Sequence, residues 1–205
     1  MADRSESSGA LADETTNRIA QVADAALRLF ARYGYKRTSM DDIAKEAGLA
    51  KATLYLHFKG KDDVFRAMFT LIGHRVEARC REVMALEAPF PARLTALLQA
   101  HYATAYASFG TGEHLAELKA VMADIAVQEM QAFEQIFIGF ARRLFTETDA
   151  AGEIALAKVG IELEVLIASL MFAAAGAKLG VSLSCEGYAG RLEDIAKVFA
   201  AAVGR

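Results

Sequence analysis

The chain has 205 residues, of which 54% are hydrophobic, with two Pro, no Trp and two Cys. Ala, Leu, Glu and Lys dominate, so the composition favours an all-α protein of one or two small domains, each able to bury a core. The net charge of −3 excludes a uniformly basic protein. The wide separation of Cys80 and Cys185 excludes a disulfide framework and a cysteine-based zinc site.

The N-terminal residues carry no recognisable signal peptide, because residues 1–14 are polar and acidic. The longest uncharged apolar run, residues 165–177, is too short to span a bilayer. We therefore expect a cytoplasmic protein with reduced cysteines.

The chain begins with a segment rich in Ser, Asp and Glu, so residues 1–14 are predicted to be a disordered tail. A helix is predicted over about 16–33, and Gly34 ends it. Its apolar stripe consists of Ile19, Val22, Ala23, Ala26 and Phe30.

Residues 39–57 have the pattern of a helix-turn-helix. Ser39 and Asp42 stand at the spacing of a capping box, with Asp in place of the usual Glu, and so predict the start of a short helix. Ile43, Ala44 and Ala47 give this helix an inner face. Gly48 can adopt the left-handed conformation that ends it.

The second short helix, at about 51–57, is predicted to face a DNA major groove. Leu54 and Phe58 are four residues apart and share its buried side. The local charge agrees, because residues 28–61 carry eight Lys/Arg and three Asp/Glu, whereas residues 62–205 carry 13 and 18. A basic end on an acidic body is typical of a small DNA-binding module attached to a larger domain.

Nine residues are predicted to form the DNA-binding surface. Lys51 is placed to reach a phosphate or a guanine edge, and Tyr55 to bind a phosphate. Lys61 adds its charge to the free N–H groups at the start of the next helix. Structural alternatives exist for five positions. Lys51 could be a solvated surface lysine, Thr53 could simply fill the helix and Tyr55 could be purely structural. Ser39 could be a cap alone, and His57 could be packed beside Phe58. The predicted set is Thr38, Ser39, Lys51, Ala52, Thr53, Tyr55, Leu56, His57 and Lys61.

This part of the chain resembles the TetR family of bacterial transcriptional regulators. The resemblance covers about 45 positions and is carried by Arg18-Ile19, Ala25-Ala26-Leu27, Leu29-Phe30, Gly34, Thr38-Ser39, Ile43-Ala44, Ala47-Gly48, Thr53-Leu54-Tyr55, His57-Phe58 and Lys61. It implies DNA contacts at Thr53, Tyr55 and Lys61, and nine or ten helices in two parts.

The resemblance has two departures in the second short helix. Many relatives open this helix with Ser, where this chain has Ala50 and so lacks the cap. Leu56 stands where relatives often have a second aromatic residue, and it is suited to a thymine methyl group or to packing rather than to a phosphate. The operator sequence is therefore not predicted by analogy.

We predict two domains, a helix-turn-helix domain over 15–61 and a C-terminal helical ligand-binding and dimerisation domain over 62–205. A long helix at about 61–87 connects them, with Asp62 and Asp63 in its first turn. The break at Ala88-Pro89-Phe90-Pro91 ends this helix.

The remaining helices are predicted from their breakers. A helix over 92–108 stops at Phe109–Gly112, and residues 113–146 form one kinked helix or two. A turn at 149–152 leads to a long apolar helix over 153–179, and the last helix covers about 187–203.

The helix predicted over 153–179 is apolar on nearly all sides, so it must be covered on nearly all sides. We predict that this helix and the last one form a symmetric four-helix bundle between two subunits. The alternative is that both helices belong to the core of a monomer. A dimer also suits two DNA half-sites about 34–36 Å apart. The predicted interface is Ile161, Val165, Ala168, Phe172, Leu192, Ile195 and Phe199.

A small-molecule pocket is predicted from apolar side chains interspersed with a few polar groups. Ordinary core packing is the alternative for each of these residues. The family resemblance implies that ligand tilts the helix at 61–87 and spoils the half-site spacing, with a coupling of about 1–3 kcal/mol. The candidates are Met84, His101, Tyr102, Tyr106, Met122, Phe133, Phe137, Phe140 and Glu164.

Catalytic motifs such as HExxH, GxSxG or a phosphate-binding glycine loop do not occur, so no enzyme activity, metal or cofactor is predicted. The interpretation is a homodimeric repressor that a small, largely apolar effector releases from a near-palindromic operator. Three alternatives stay open: a metal sensor using His101, His114 and Glu117, a redox sensor, or a helical protein-interaction scaffold.

Overall fold

The computed structural model describes residues 3–109, 114–179 and 183–204. Ten α-helices account for most of these residues and none of them lies in a β-strand, so the predicted all-α class is confirmed. The first four helices are α1 (Asp3–Tyr33), α2 (Met40–Glu46), α3 (Lys51–His57) and α4 (Lys61–Met84). The others are α5 (Phe90–Leu98), α6 (Thr104–Phe109), α7 (Leu115–Ile125), α8 (Val127–Ala150), α9 (Leu163–Gly176) and α10 (Cys185–Val203).

The chain divides into two compact units. The first comprises Met1–Ile72 and Gly112–Met130, and the second comprises Gly73–Thr111 and Gln131–Arg205. The division therefore falls inside α4 rather than at the predicted boundary after residue 61. The reason is that Val64, Phe65 and Met68, in the first turns of α4, are buried and belong to the core of the first unit.

The core of the first unit is built on the apolar stripe of α1. Val22, Ala26 and Phe30 are fully buried, as is Leu54 of α3. An aromatic group closes the core, because the ring centroids of Phe30, Tyr35 and Phe65 lie 5.2–5.9 Å apart. This packing fixes α1, α2, α3 and the start of α4 as one body.

The N-terminal end of α1 differs from the prediction. The helix begins at Asp3, whereas residues 1–14 are predicted to be a disordered tail. No Pro interrupts residues 3–15. Each residue added to an existing helix gains one hydrogen bond, so the extension of α1 costs little free energy. The polar composition of residues 1–14 therefore predicts the start of α1 too late in the chain.

The second unit is organised around α10, which packs against α5, α9 and a π-helix. The π-helix, Gln99–Ala103, joins α5 directly to α6. The core contains Leu94, Leu97, Phe145 and Tyr188, all fully buried. The last turn of α10 is held by the N–H of Ala155, which donates to the carbonyl of Val203 over 2.8 Å.

The prediction of one long helix over 153–179 is wrong for the first third of that range. Residues 151–162 form turns, a 3-10 turn at Leu156–Lys158 and a single bridge between Ile154 and Gly204, so α9 begins only at Leu163. Gly152 and Gly160 adopt positive φ angles of 74° and 69°, which are incompatible with helix continuation.

Other boundaries are resolved by the structure. The join between residues 113 and 146 lies at Ala126, a buried residue between α7 and α8 with φ of −122°. Residues 110–112 of the predicted stop after Phe109 lie outside the described residues. Among the described helices, none is both long and apolar enough to cross a membrane.

Candidate nucleic-acid interface

The predicted capping box at the start of α2 is confirmed. The Asp42 N–H donates to the Ser39 hydroxyl over 3.1 Å, and the Ser39 N–H donates to the Asp42 carboxylate over 2.8 Å. The Ser39 hydroxyl also donates to the Asp42 carboxylate over 2.6 Å, and this hydrogen bond, together with the one from the Ser39 N–H, holds the pKa of Asp42 below its usual value. Two otherwise unpaired donors are thereby satisfied, which fixes where the helix begins.

The turn between α2 and α3 is held from both sides. Gly48 has a φ of 65°, the left-handed conformation predicted for it. The Gln21 side chain of α1 donates to the carbonyl of Ala47 over 2.7 Å, and Arg28 of α1 pairs with Glu46 at 2.9 Å. Ala50 precedes α3 without a side-chain cap, as predicted. Buried contacts, rather than a cap, therefore position α3.

The outer side of α3 is open. Leu54 is fully buried, and Phe58 just beyond the helix is nearly so, as predicted, whereas Tyr55 is 47% and Leu56 82% exposed. Lys51 and Ala52 are also exposed, and Thr53 and His57 are half-buried. The His57 and Phe58 rings lie 6.5 Å apart, the packed alternative noted for this histidine. A short helix that exposes a phenol and a leucine side by side is shaped for contact with another molecule.

Lys51 is paired within the protein. Its Nζ lies 2.7 Å from a carboxylate oxygen of Asp41 on α2. The hydrogen bond that Lys51 donates to this carboxylate raises the pKa of Lys51, so the ammonium stays charged. A DNA phosphate must compete with Asp41 for Lys51, a relation that the sequence pattern does not reveal.

Lys61 and Thr38 are turned toward the protein. The Lys61 ammonium donates to the carbonyls of Tyr35 and Thr38 over 2.7 and 3.0 Å and lies 4.3 Å from the centre of the Tyr35 ring. The Thr38 hydroxyl is buried and donates to the carbonyl of Gly34 over 2.8 Å. The predicted role of the Thr38 hydroxyl as a DNA ligand is therefore not supported. Lys61 is left with one of its three donors outside these two hydrogen bonds.

The turn between α1 and α2 is also held by α7, a contact that sequence reasoning missed. The N–H of Lys36 donates to a Glu117 carboxylate oxygen over 2.8 Å, and a guanidinium nitrogen of Arg37 lies 3.1 Å from Nε2 of His114. A Cβ at Gly34 would lie only 2.5 Å from the Glu117 carboxylate, so the turn fits closely under α7. The sequence shows only that His114 and Glu117 are three residues apart, whereas the structure places Nδ1 of His114 3.9 Å from a Glu117 carboxylate oxygen.

Four of the nine predicted pocket residues come together in the second unit. His101 is buried with its ring centroid 4.6 Å from that of Tyr102, 4.3 Å from that of Phe133 and 5.3 Å from that of Phe137. Nearby in the chain, Tyr106 stacks on Tyr188 with centroids 4.9 Å apart and donates to the carbonyl of Leu183 over 2.8 Å.

The other predicted pocket residues are placed differently. Glu164 is exposed and forms a two-pronged ion pair with Arg142 at 2.8 Å, so it belongs to the surface and not to a pocket. Met122 belongs to the first unit on α7. Met84 and Phe140 are half-buried at the end of α4 and on α8. Helical spacing alone could not separate a solvent-facing glutamate from an inward one.

The predicted dimer residues divide into two groups. Ile161, Val165 and Phe172 are exposed, Phe172 at 77%, and Ala168, Ile195 and Phe199 are half-buried. Leu192 is fully buried inside its own unit, where α10 packs against α5, so it is not available to a partner and that prediction is wrong. Leu179 and Val198 add exposed apolar area that was not predicted.

No metal site emerges from the described residues, and one of the two cysteines is buried. No three His, Cys, Asp or Glu side chains among them are placed to hold a metal ion. Glu117 is instead engaged with the Lys36 N–H. Burial raises the pKa of the Cys80 thiol to about 12, which suppresses the reactive thiolate, while Cys185 is exposed.

Comparison with known proteins agrees with this geometry. Residues 22–68 match the family described as "Bacterial regulatory proteins, tetR family". An uncharacterised HTH-type transcriptional regulator, YhgD of Bacillus subtilis, is 36% identical over 69 residues, which are 34% of this chain and 36% of that protein. A negative transcriptional regulator of a biofilm operon, IcaR of Staphylococcus epidermidis, is 39% identical over 46 residues, 22% of this chain and 25% of that protein. The matched segment thus spans about a third or less of these relatives.

Similarity of fold extends much further along the chain. A crystal structure of a TetR-family transcriptional regulator from Mesorhizobium loti covers 93% of this chain and 98% of its own, with a TM-score of 0.67 and 19% identity. At that identity the similarity shows the fold, an N-terminal helix-turn-helix domain followed by a helical domain. Residues 22–68 therefore match the model of the TetR family of bacterial regulatory proteins, and the chain as a whole shares the fold of a TetR-family regulator.

Proposed function

We propose that this protein is a homodimeric, ligand-responsive transcriptional repressor that a small, largely apolar effector releases from a near-palindromic operator. The observation that carries the proposal is the exposure of Tyr55 and Leu56 on α3, above a firmly buried Leu54. A side chain exposed on a well-anchored recognition helix can enter the major groove without rearrangement of the domain. Lys51 and Lys61 flank this surface at the two ends of the predicted interface.

The distribution of charge supports DNA as the partner. Residues 28–61 carry eight Lys/Arg against three Asp/Glu, while residues 62–205 carry 13 against 18. Attraction to DNA phosphates is therefore confined to the segment that contains α2 and α3, which orients the protein as it approaches the duplex. The alternative function, a scaffold that binds only proteins, does not explain why the positive charge is concentrated in this segment.

The exposed apolar face of α9 and α10 supports a dimer. This face, which we call the bundle face, comprises Ile161, Val165, Ala168, Phe172, Leu179 and Val198. Within Leu163–Gly176 the one charged residue is Glu164, so α9 offers little to water on its exposed side. Large contiguous apolar patches on soluble proteins mark interaction sites. A second copy of the same face is the occupant that a two-fold axis supplies.

Repression is proposed because the biofilm-operon relative is a negative regulator. That match covers only 46 residues, 22% of this chain, so it carries no information about the effector or the target gene. Ligand response is proposed from the aromatic group around His101 in the second unit.

The proposal is tested by fluorescence anisotropy with labelled DNA from immediately upstream of the protein's own gene. Affinity is measured at two salt concentrations, with a random duplex of the same length as control. Specific binding survives added salt better than binding to the control, because only part of its free energy comes from released counterions. Equal, salt-erased binding to both duplexes directs the search to other promoters. Absence of binding to either duplex at low salt rejects the proposal.

A further inference from the structure

His101 is a buried polar group without a partner. The residue is 1% exposed, and its Nδ1 atom is buried and makes no hydrogen bond. Buried polar atoms nearby are satisfied, since the Tyr188 hydroxyl donates to the carbonyl of Ala174 over 2.9 Å and that of Tyr106 donates to Leu183 over 2.8 Å. An unmade hydrogen bond at a buried nitrogen costs free energy that a ligand can recover.

The backbone at His101 is also unusual. His101 lies in the middle of the π-helix Gln99–Ala103, between α5 and α6. Single turns of π-helix are rare and occur frequently at functional sites, because the extra residue redirects side chains relative to a regular helix. The irregular turn and the unpartnered nitrogen are independent observations that coincide at one residue.

Three aromatic rings surround the imidazole. Phe133 is tilted by 38° with its centroid 4.3 Å away, Tyr102 approaches edge-on at 4.6 Å, and Phe137 lies at 5.3 Å. Ring pairs of this kind prefer offset-stacked or edge-to-face contacts at centroid distances of about 4.5–7 Å. A planar aromatic ligand can join such a group by the same contacts.

The electrostatics of the site favour an uncharged ligand. Burial, together with the positive charge of Lys178, lowers the pKa of His101 to about 3, so the imidazole is neutral at pH 7. A cation would meet Lys178 without a compensating charge on His101, and an anion would lose its hydration among aromatic rings.

We propose that His101 is the polar centre of the effector site and that the effector is an uncharged hydroxyaromatic compound whose hydroxyl group hydrogen-bonds to Nδ1. A hydroxyl is the suitable group because it both donates and accepts, and so satisfies Nδ1 in either tautomer of the neutral ring. The proposal deepens the ligand response proposed above and rests on it. The ring of the ligand stacks among Tyr102, Phe133 and Phe137 while its hydroxyl meets His101.

The test compares 2-naphthol with naphthalene, which has the same rings and no hydroxyl group. Isothermal titration calorimetry of the full-length protein is expected to show that 2-naphthol binds at least about tenfold more tightly, the factor that one hydrogen bond to a buried nitrogen represents. In His101→Phe, which keeps a planar ring and removes Nδ1, this preference is expected to disappear. His74→Phe, a histidine exposed on α4, is the matched control and retains the preference.

A second measurement needs no substitution. The chain has four histidines, so the Nδ1 resonances of ¹⁵N-histidine-labelled protein can be followed individually. The His101 signal is the one that remains neutral down to about pH 4, because its pKa is about 3. Addition of 2-naphthol is expected to shift this Nδ1 resonance, and naphthalene is not. This readout decides the question if His101→Phe does not fold.

Three results overturn the proposal. They are an unchanged 2-naphthol preference in folded His101→Phe, a His101 Nδ1 resonance that 2-naphthol leaves in place, and no binding of 2-naphthol by a protein that binds its operator specifically. The operator measurement is made on the same samples, so a failed effector site is distinguished from a failed DNA-binding function. Equal binding of both probes would assign Nδ1 to a bound water rather than to a ligand.

Discussion

The side chains that we propose to bind DNA and the effector stand in opposite surroundings. Tyr55 and Leu56 on α3 are large, partly apolar side chains that are exposed to solvent. His101, by contrast, is a polar side chain buried in an aromatic core. Each arrangement is unfavourable in the free protein, since apolar surface is left hydrated in one case and a hydrogen bond is unmade in the other. A partner that completes the missing contacts gains the free energy that the isolated protein lacks.

His101 should make folding stability depend on pH. Its pKa is about 3 in the folded protein and about 6.5 when unfolded, so between these values the unfolded chain binds the extra proton. Stability from a neutral His101 is therefore present above pH 6.5 and is lost as pH falls, by up to about 1.4 kcal/mol per pH unit. Urea unfolding at pH 6.5 and 5.0 is expected to show a smaller loss for His101→Phe than for the wild type, by about 2 kcal/mol. Equal slopes would place His101 in a hydrated environment.

Tyr55→Ala is expected to weaken operator binding by about tenfold, the value of a hydrogen bond to a charged group, while the dimer remains intact. The slope of affinity against salt should not change, because tyrosine carries no charge and releases no counterion. Anisotropy titrations at several salt concentrations measure both quantities. Tyr33→Ala removes an equally exposed tyrosine, 45% against 47%, at the end of α1 and serves as control. Unchanged affinity in Tyr55→Ala would remove this residue from the interface.

Local chemistry in α2 and α3 was predictable from the sequence, because it depends on residues a few positions apart. The capping box of Ser39 and Asp42 and the left-handed Gly48 are of this kind. The pairing of Lys51 with Asp41 was not predictable, since it depends on how α2 and α3 cross. The inward hydroxyl of Thr38 likewise depends on a turn whose conformation no spacing specifies.

Short helices depend strongly on what holds their ends. α2 and α3 have seven residues each, too few for either to be stable alone. α2 has its capping box and the side chain of Gln21, and α3 relies on Leu54 and Phe58 in the core. Stability and orientation of the DNA-reading helix are therefore properties of the whole first unit.

Ser39→Ala removes the cap from α2 and is expected to destabilise the protein by about 1 kcal/mol. The loss is local, because the Asp42 N–H loses its acceptor and the Asp42 carboxylate loses the hydroxyl donor, whereas the N–H of residue 39 keeps the Asp42 carboxylate and the core is untouched. Denaturant unfolding measures the change in free energy, with Ser39→Thr as a variant that retains the capping hydroxyl. A Ser39→Ala protein as stable as the wild type would show that water replaces the cap at no cost.

Glu117→Ala is expected to weaken operator binding without unfolding the protein. The Glu117 carboxylate accepts the Lys36 N–H and lies against Gly34, so its removal releases the turn that leads into α2. One such hydrogen bond contributes about 1 kcal/mol, or roughly fivefold in affinity if the loss falls on the DNA-bound conformation. Anisotropy with the operator measures the effect, and Asp124→Ala, an exposed acid on the same helix α7, is the control. Equal affinities for the two variants would limit Glu117 to a structural role.

Helix boundaries show where sequence periodicity stops being informative. The apolar pattern placed one helix over 153–179, but α9 occupies only Leu163–Gly176. Gly160 lies inside this predicted helix, but its φ of 69° is incompatible with helix continuation. Glycine is compatible with both conformations, so packing of residues 151–162 against the end of α10 makes the choice.

At the scale of the whole molecule, we propose different partners for the apolar bundle face and for the basic segment, residues 28–61. On the bundle face, Phe172 is 77% and Val198 is 67% exposed, and large exposed apolar patches on soluble proteins mark interaction sites. The basic segment carries eight Lys/Arg and three Asp/Glu, although the net charge of the chain is −3. In the proposed dimer, the first surface is covered by its own copy and the second remains available to DNA.

Ala168→Asp tests whether the bundle face is the dimer interface. Ala168 lies between Val165 and Phe172 on this face of α9 and is half-buried in the single chain. A two-fold axis brings the substitution into the interface twice, so two carboxylates lose water among apolar side chains. We expect the dimer dissociation constant to rise by at least about a hundredfold, or roughly 3 kcal/mol.

Sedimentation velocity over a range of protein concentrations measures this change, and Ala78→Asp, which places the same charge at an exposed position of α4, is the control. The helix-turn-helix lies in the other compact unit, so the affinity of one subunit for a single half-site should be retained. Affinity for the full operator should fall with the dimer, because the second recognition helix is no longer delivered at high local concentration. An Ala168→Asp protein that sediments as the wild type does would mean that another surface joins the subunits.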